Sequence, residues 1–328
     1  MYKKYLTILL LLILNQAFAQ QTIPLYAGKI PNAKPTVNEE YTPDQNVYFK
    51  ITQPSLGIYL PKPELANGTA VIICPGGSYS GVWMKIQGSD VAKKLNEIGV
   101  AAFVLKYRIP DDKTMQDKSI GPLQDAQQAI KMVRERAGEW KIDTNKIGIM
   151  GFSAGGHLAA TAGTHFNRSF IDNKRHTSLR PDFMILVYPV ISFNDLITHK
   201  DSKENLIGKH PQYRLVDYYS NEMQVNKQTP PTFLIHGEDD QLVTVKNSIN
   251  FYLSLLQFSV PAGMHLFSKG EHGFFTEPSH SNWFRYCSEW MQENGWIGNK
   301  PSAINNKQNP INKSNRSITS VKKILNKN

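Results

Sequence analysis

The sequence predicts an α/β domain whose core is a mostly parallel, eight-stranded sheet with helices on both faces. Apolar runs of strand length alternate with amphipathic segments of helix length, as in α/β folds. The chain is also long enough for one large domain of this class. A third observation is the stretch IGIMGFSAGGH at 147–157, in which glycine and serine join an apolar run to the start of a helix.

Eight runs have the length and composition of strands. The run AVIIC at 70–74 is apolar throughout, as expected for a strand buried on both faces of a parallel sheet. The first two runs are short and separated only by a turn, which favours an antiparallel pair. The predicted strands are 47–51, 57–60, 70–74, 101–105, 147–151, 183–188, 232–235 and 263–267.

The helices are predicted from apolar positions at helical spacing. In the segment that Pro122 opens, Ala126, Ala129, Ile130 and Val133 fall at i, i+3, i+4 and i+7 and form one apolar face. The other predicted helices are 91–98, 158–162, 245–256 and 283–291. Two segments lack such a pattern, a Pro-rich polar arm at 20–44 and a polar, mixed insertion at 190–230.

The first residues have the pattern of a secretory signal peptide. Lys3 and Lys4 precede an apolar run at 6–14, and an A-x-A cleavage site follows at 17–19. The apolar run is too short to span a membrane, and no later run is long enough. We therefore expect residues 1–19 to be removed and the mature chain to be secreted or periplasmic, with no integral membrane span.

The basic charge of the chain is concentrated at its two ends. Of the formal net charge of +10, seven charges lie in residues 299–328, which contain no acidic residue, and two belong to Lys3 and Lys4. The remaining +1 gives the body no general attraction for nucleic acid. Residues 299–328 are rich in Asn, Lys and Ser and poor in apolar residues, which predicts a disordered basic tail.

Residues 20–298 remain for one domain with a substantial core. This part has only two cysteines, Cys74 at the end of a predicted strand and Cys287 in a predicted helix. An exported chain tolerates disulfides, but both positions are typical of a buried face and lie far apart in sequence. We predict two unreactive core thiols rather than a disulfide.

The stretch at 147–157 predicts a nucleophile. Gly151, Ser153 and Gly155 form G-x-S-x-G between a strand and a helix, the pattern of a strained turn that holds a serine hydroxyl clear of the sheet edge. Glycine two residues to either side is needed because a side chain there would clash in so tight a turn. A bare G-x-S-x-G is a weak signal, but its position between strand and helix favours Ser153 as a catalytic nucleophile.

A serine hydroxyl is a poor nucleophile and needs a base. In folds with this turn the partners follow in the order Ser, acid, His. His272 follows a predicted strand in a loop with glycine on both sides, and is the predicted base. The runner-up is His280, in a polar segment; His265 lies inside a strand, and His236 precedes the candidate acids.

The acid is expected just past the strand at 232–235, where it would hold the imidazole in the required tautomer. Glu238, Asp239 and Asp240 all lie there. The spacing alone does not separate the two aspartates. A carboxylate that is not used would be a solvated charge in the loop or near a helix start.

The tetrahedral intermediate of acyl transfer needs hydrogen-bond donors for its oxyanion. One predicted donor is the backbone N–H of Ala154, directly after the nucleophile. The others are in the loop CPGGSY at 74–79, where adjacent Gly76 and Gly77 let the backbone approach the substrate. His157, four residues after Ser153, is expected to bond to backbone rather than to act in catalysis. No metal-binding motif occurs, so we predict no metal and no cofactor.

Together these motifs resemble the α/β-hydrolase superfamily, and within it exported bacterial carbohydrate esterases of the acetylxylan-esterase type. The resemblance covers about residues 45–295 and is carried by GFSAGGHLA at 151–159, CPGGSY at 74–79, LKYR at 105–108 and HGF at 272–274. It implies the α/β-hydrolase fold. It also implies that Asp240, four residues beyond a strand-ending His-Gly, is the acid. The chain departs from the family at Ser78, where a third glycine is usual.

The resemblance implies a serine esterase that removes short acyl groups, above all acetyl, from plant polysaccharide or oligosaccharide. Tyr79, next to the oxyanion loop, is expected to close the acyl side of the site. The first alternative is a prolyl-oligopeptidase-like serine peptidase, although the stretch before the Cys74 strand is too short for the large propeller such enzymes usually carry. The second is a non-catalytic binding module of the same fold, which a broken triad would mark. A lipase is disfavoured because residues 190–230 are too polar for an apolar lid.

Overall fold

The computed structural model describes residues 21–274 and 280–298, without the side chains of residues 280 and 281. The predicted signal peptide and the predicted tail lie outside these residues, and so does the side chain of His280. The strands are β1 Gln21–Pro24, β2 Val47–Phe49, β3 Ser55–Tyr59, β4 Ala70–Cys74, β5 Gly81–Trp83, β6 Ala101–Lys106, β7 Ile147–Phe152, β8 Met184–Val187, β9 Thr232–Gly237 and β10 Ala262–Phe267. The α-helices are α1 Asp90–Glu97, α2 Gly121–Glu135, α3 Ser153–Thr164, α4 Lys200–Ile207, α5 Tyr213–Tyr219, α6 Lys246–Gln257 and α7 His280–Glu293.

Eight strands form the central sheet in the order β1-β3-β6-β4-β7-β8-β9-β10. The pairs β1–β3 and β3–β6 are antiparallel, and every other neighbouring pair is parallel. Apolar side chains of α2, α3 and α6 pack on one face, and those of α1 and α7 on the other. The predicted eight-stranded, mostly parallel sheet with helices on both faces is therefore confirmed.

The antiparallel start differs from the prediction. The run at 47–51 does not pair with the next strand, because β2 pairs with β5 in a separate two-stranded ribbon. The edge place beside β3 is taken by β1, from the arm predicted to be irregular. Its four residues are too short and too exposed to carry an apolar pattern, so only the pairing with β3 identifies them as a strand.

The five predicted helices are present, and α2 has Pro122 at its first turn, where the missing N–H is not needed. The polar segment 190–230, here called the insertion, contains α4 and α5 between β8 and β9. Both helices are short, and their buried apolar residues are only Leu206, Ile207 and Tyr219. This explains why the sequence shows no apolar period for them. No helix of the described residues is long and apolar enough to cross a membrane.

The strand register brings two pairs of loops together. Cys74 on β4 is opposite Gly151 on β7, so the loop after β4 lies beside the turn after β7. Gly237 on β9 is opposite Phe267 on β10, so the loops after these two strands are also neighbours. We call the carboxyl ends of β4, β7, β9 and β10 the catalytic edge, since parallel α/β sheets form their sites at this edge.

Candidate active site

The turn from β7 into α3 holds Ser153 in a left-handed backbone conformation, with φ of 52°. A Cβ on Gly151 would lie 2.2 Å from the carbonyl oxygen of Gly155, and one on Gly155 would lie 2.1 Å from that of Cys74. Such distances exclude any side chain, so both glycines are required for the strand and helix to approach this closely. The strain expected of the turn is therefore present at the serine itself.

Three side chains from three loops of the catalytic edge form a chain of hydrogen bonds. His272 Nε2 lies 2.9 Å from Ser153 Oγ, and His272 Nδ1 lies 2.7 Å from Asp240 Oδ2. An ionised carboxylate only accepts, so Nδ1 carries the proton and Nε2 is left to accept from the serine hydroxyl. The structure thus brings Ser153, His272 and Asp240 together in the tautomeric arrangement that a general base requires.

The loop after β9 surrounds Asp240 with donors. Its Oδ1 accepts the backbone N–H groups of Leu242 and Val243 at 2.9 and 2.8 Å, and His236 Nε2 lies 3.2 Å from Oδ2. Burial alone would raise the pKa of Asp240, but the hydrogen bonds from His236 and His272 hold it well below its usual range. The carboxylate therefore stays ionised at every pH at which the protein would work.

The two neighbouring carboxylates have other surroundings. Asp239 Oδ1 accepts the backbone N–H of Glu271 at 2.8 Å, and its Oδ2 is 3.9 Å from Lys269 Nζ at the surface. Glu238 is exposed. Only Asp240 faces a histidine, because the loop turns its side chain back under β9. The sequence alone left this choice open, since spacing does not report the direction in which a loop residue points.

His236 is a residue of the site that sequence reasoning passed over. Its Nε2–H donates to Val243 O at 2.8 Å as well as toward Asp240, and its Nδ1 accepts from Ser248 Oγ at 2.8 Å. The fully buried ring therefore holds the acid loop to β9 and α6. The available signal is its place at a strand end, four residues before Asp240. The chain order Ser, acid, His excludes it as the base but says nothing about a supporting role.

The oxyanion loop after β4 lies against the nucleophile, since a Cβ on Gly76 would be 2.9 Å from Ser153 Cβ. The three predicted donors do not have the same surroundings. The Gly76 N–H donates to Gln87 Oε1 at 2.7 Å, so it is not free for an oxyanion, which corrects its assignment as a donor. Within the described part of the chain, the N–H groups of Gly77 and Ala154 have no acceptor. These two form the candidate hole.

The departure at Ser78 has a structural consequence. Ser78 and Tyr79 both have φ of 57°, a conformation that favours glycine, so the usual glycine at this position would be less strained. The loop is held from two sides. Asn205 Nδ2 on α4 donates to Ser78 O at 2.8 Å, and Tyr107 OH donates to Pro75 O at 2.8 Å. These bonds hold the strained backbone in place.

His157 bonds to neighbouring groups as expected. Its Nε2 is 2.9 Å from Tyr219 O on α5, its Nδ1 is 2.9 Å from Tyr79 OH, and its ring stacks on Phe193. Burial lowers the pKa of His157 to about 3, so the ring is neutral. Tyr79 is only 1% exposed. Its ring packs into the core rather than over an open acyl site, because its hydroxyl donates to His157; this contradicts its predicted role.

The remaining candidate groups take no part in the hydrogen-bonded chain of Ser153, His272 and Asp240. His265 stacks on Tyr286 with ring centroids 3.8 Å apart. Cys74 and Cys287 are buried and unpaired, and burial raises the pKa of both thiols above the usual range. Within residues 21–274 and 280–298, no group of three His, Cys, Asp or Glu side chains has the geometry to hold a metal ion.

A nucleophile turn, a hydrogen-bonded serine, histidine and aspartate, and two free N–H groups on an eight-stranded sheet define an α/β-hydrolase of the esterase type. The chain belongs to the BD-FAE family, whose model matches residues 56–255. The predicted resemblance to carbohydrate esterases is confirmed at this level.

Two curated relatives are similar over most of this chain. Acetylxylan esterase from Xylanibacter ruminicola is 35% identical over 245 residues, 73% of this chain and 47% of that protein. Endo-1,4-beta-xylanase B from Butyrivibrio fibrisolvens is 35% identical over 223 residues, 67% of this chain and 34% of that protein. The chain therefore spans less than half the length of either relative.

The chain is also similar to a solved structure, over nearly the whole length of that structure. It is the acetyl ester-xyloside bifunctional hydrolase from Caldicellulosiruptor lactoaceticus, with a TM-score of 0.73 and 36% identity. The superposition covers 85% of this chain and 97% of that one. Unlike the two longer relatives, this protein matches the described domain almost end to end.

Proposed function

We propose that this chain is an exported serine esterase that removes short acyl groups, above all acetyl, from plant polysaccharide or its oligosaccharides. The observation that carries the proposal is the hydrogen-bonded chain from Ser153 through His272 to Asp240, beside the free N–H groups of Gly77 and Ala154. The carbohydrate part of the proposal draws on the acetylxylan esterase and the acetyl ester-xyloside hydrolase to which the chain is similar.

In the proposed reaction His272 Nε2 takes the proton of Ser153 Oγ as the oxygen attacks the ester carbonyl. The Asp240 carboxylate stabilises the imidazolium that forms, without itself taking the proton. The Gly77 and Ala154 N–H groups donate to the oxyanion, each contributing about 3–4 kcal/mol to the transition state. His272 then protonates the leaving oxygen of the sugar, which departs with a free hydroxyl group. A water molecule, activated by the same histidine, hydrolyses the acyl-serine in the second half of the reaction.

The test compares the wild type with Ser153→Ala on aryl acetate and on acetylated xylan. Removing the nucleophile should lower kcat on the order of 10⁶-fold while the melting temperature stays within a few degrees, because the alanine keeps the turn. Turnover near the wild-type rate in a folded Ser153→Ala variant would exclude the proposed nucleophile.

The acyl preference is tested on aryl esters of increasing chain length. We expect kcat/KM to fall from acetate to butyrate to octanoate. Each added methylene contributes only about 0.8 kcal/mol by burial, while overpacking a filled site costs roughly 1–3 kcal/mol. A rise toward octanoate would instead indicate a lipase-like site. Cleavage of a Pro-containing peptide amide without release of acetate from xylan would favour the peptidase.

Export is tested separately. The full chain expressed in a Gram-negative host should yield a processed protein that begins near Gln20 and is recovered from the periplasm or medium. A protein that keeps residues 1–19 and stays in the cytoplasm would contradict the proposed localisation without affecting the proposed chemistry.

A further inference from the structure

The insertion places a second histidine near the catalytic edge. His199 directly precedes α4 and is 5% exposed. Its segment is fixed on both sides, because Asn247 Nδ2 on α6 donates to Ile197 O at 2.9 Å and Asn205 Nδ2 on α4 donates to Ser78 O in the oxyanion loop. The ring is therefore held by the same helix that supports the oxyanion loop.

The hydrogen bonds of His199 determine its tautomer. Nδ1 lies 2.8 Å from the hydroxyl oxygen of Ser202, which is fully buried. Within the described part of the chain this ring is the only acceptor for that hydroxyl, so Ser202 donates and Nδ1 accepts. Nε2 then carries the proton. It has no partner among the described residues, and it is not one of the atoms sealed from solvent.

The ring also lies within electrostatic reach of the catalytic pair. Burial lowers the pKa of His199; the charges of Asp201 and Asp240 oppose this effect, and that of His272 reinforces it. His199 is thus a neutral, buried donor on the segment that leads into α4, the helix whose Asn205 holds the oxyanion loop. The mechanism described above uses its Nε2–H for no step.

We propose that His199 Nε2–H donates a hydrogen bond to an oxygen of the sugar that forms the alcohol part of the bound ester. This bond would select carbohydrate esters over aryl esters. This inference rests on the proposed function. An acetyl group has only its carbonyl oxygen as a good acceptor, and that oxygen is held by Gly77 and Ala154. The acceptor for His199 must therefore come from the alcohol side, where a sugar has several oxygens and an aryl group has none.

A site that keeps a hydrogen-bond donor for one substrate discriminates against an analogue lacking the acceptor, because the buried donor is left unpaired. The experiment measures kcat/KM for xylose tetra-acetate and for phenyl acetate in wild type, His199→Phe and His199→Gln. For His199→Phe we expect the sugar ester to lose roughly 10- to 100-fold and the aryl ester to change by less than about 3-fold. His199→Gln, which retains an N–H donor, should recover part of the loss.

Lys200→Ala is the matched control, since this neighbouring side chain is exposed and makes only a 3.8 Å ion pair with Glu204. Equal losses on both esters, or no loss on either, would overturn the role of His199. If His199→Phe does not fold, His199→Ala, which also lacks the donor, takes its place: an unchanged ratio of the two kcat/KM values overturns the inference, and a fall in the ratio supports it. A wild type that hydrolyses the aryl ester but releases no acetate from the sugar would overturn the proposed function itself.

Discussion

The catalytic edge and the insertion meet around Ser153, but the chain specifies them in different ways. The edge places each of its reacting groups in a loop next to glycine or at a strand end, within a few residues of a recognisable motif. The insertion has no such motif, yet it supplies three supporting contacts: Val190 N–H to Ser153 O, Asn205 to Ser78 O and the Tyr219 carbonyl to His157.

Residues that take part in the reaction can be recognised in the sequence, whereas residues that only hold a loop in place cannot. The turn at Ser153 needs particular residues because its own backbone geometry demands them, so its pattern is local and readable. A side chain that supports a loop needs only to reach it. Asn205 is 127 residues away from its acceptor at Ser78, and nothing in the neighbouring sequence marks it. Variants of the two regions should therefore differ in size of effect and in kind.

The largest contrast is expected within the catalytic edge, between adjacent aspartates. Asp240→Asn should lower kcat on the order of 10⁴-fold, because an amide in this position no longer holds His272 in the required tautomer. Asp239→Asn removes a surface contact with Lys269 and should change kcat far less. Both variants should be assayed on the same small acetyl ester with melting temperatures alongside. A reversed order would identify Asp239 as the acid.

The same pair of residues shows how much the sequence could predict. The order of elements, the turn at Ser153 and the choice of His272 follow from motifs and from the fixed chain order Ser, acid, His. The choice of Asp240 over Asp239 depended on a family resemblance, because the number of residues past a strand does not determine the direction of a side chain. His236 is excluded as the base by that chain order, and its supporting contact with Asp240 could not be predicted, since it depends on a loop turning back.

Other features could not be predicted because they depend on long-range pairing. The strand β1 exists only through its register with β3, and its exposed residues carry no pattern. Gly76 is typical of an oxyanion donor in sequence, but Gln87 from the following segment takes its N–H. Tyr79 was expected at the acyl side, whereas its bond to His157 draws the ring into the core. Each case is decided by a partner that lies elsewhere in the chain.

His157 links the helix after Ser153 to the insertion through its contact with Tyr219 O, and it should make the stability of the protein depend on pH. His157 has a folded-state pKa of about 3, below the value near 6.5 in an unfolded chain. The unfolded state therefore takes up the proton first, so stability is complete above about pH 6.5 and falls as pH decreases toward 3. At pH 5 the free energy of unfolding is lower by about 2 kcal/mol on account of this group.

This expectation is checked by urea unfolding at pH 8, 6.5 and 5 for the wild type and His157→Gln. Glutamine can bond to Tyr79 and Tyr219 but does not titrate, so its unfolding free energy should fall about 2 kcal/mol less between pH 8 and pH 5. Buried His165 also has a lowered pKa, and it contributes the same trend to both proteins. Parallel curves for the two proteins would mean that His157 is not the group responsible.

The smallest effect is expected from the insertion's hold on the oxyanion loop. Asn205→Ala removes the bond to Ser78 O, a net interaction of about 1 kcal/mol, and frees a loop whose backbone is already strained at Ser78 and Tyr79. Because Gly77 is next to Ser78, the added freedom should weaken the Gly77 N–H as a donor to the oxyanion of the transition state. We therefore expect kcat on aryl acetate to fall about 5- to 10-fold with KM nearly unchanged.

Lys200→Ala on the exposed face of α4 should leave both kcat and KM unchanged. If Asn205→Ala instead raises KM at constant kcat, α4 contributes to substrate binding rather than to the oxyanion hole, and the division between a reacting edge and a supporting insertion would not hold at this contact.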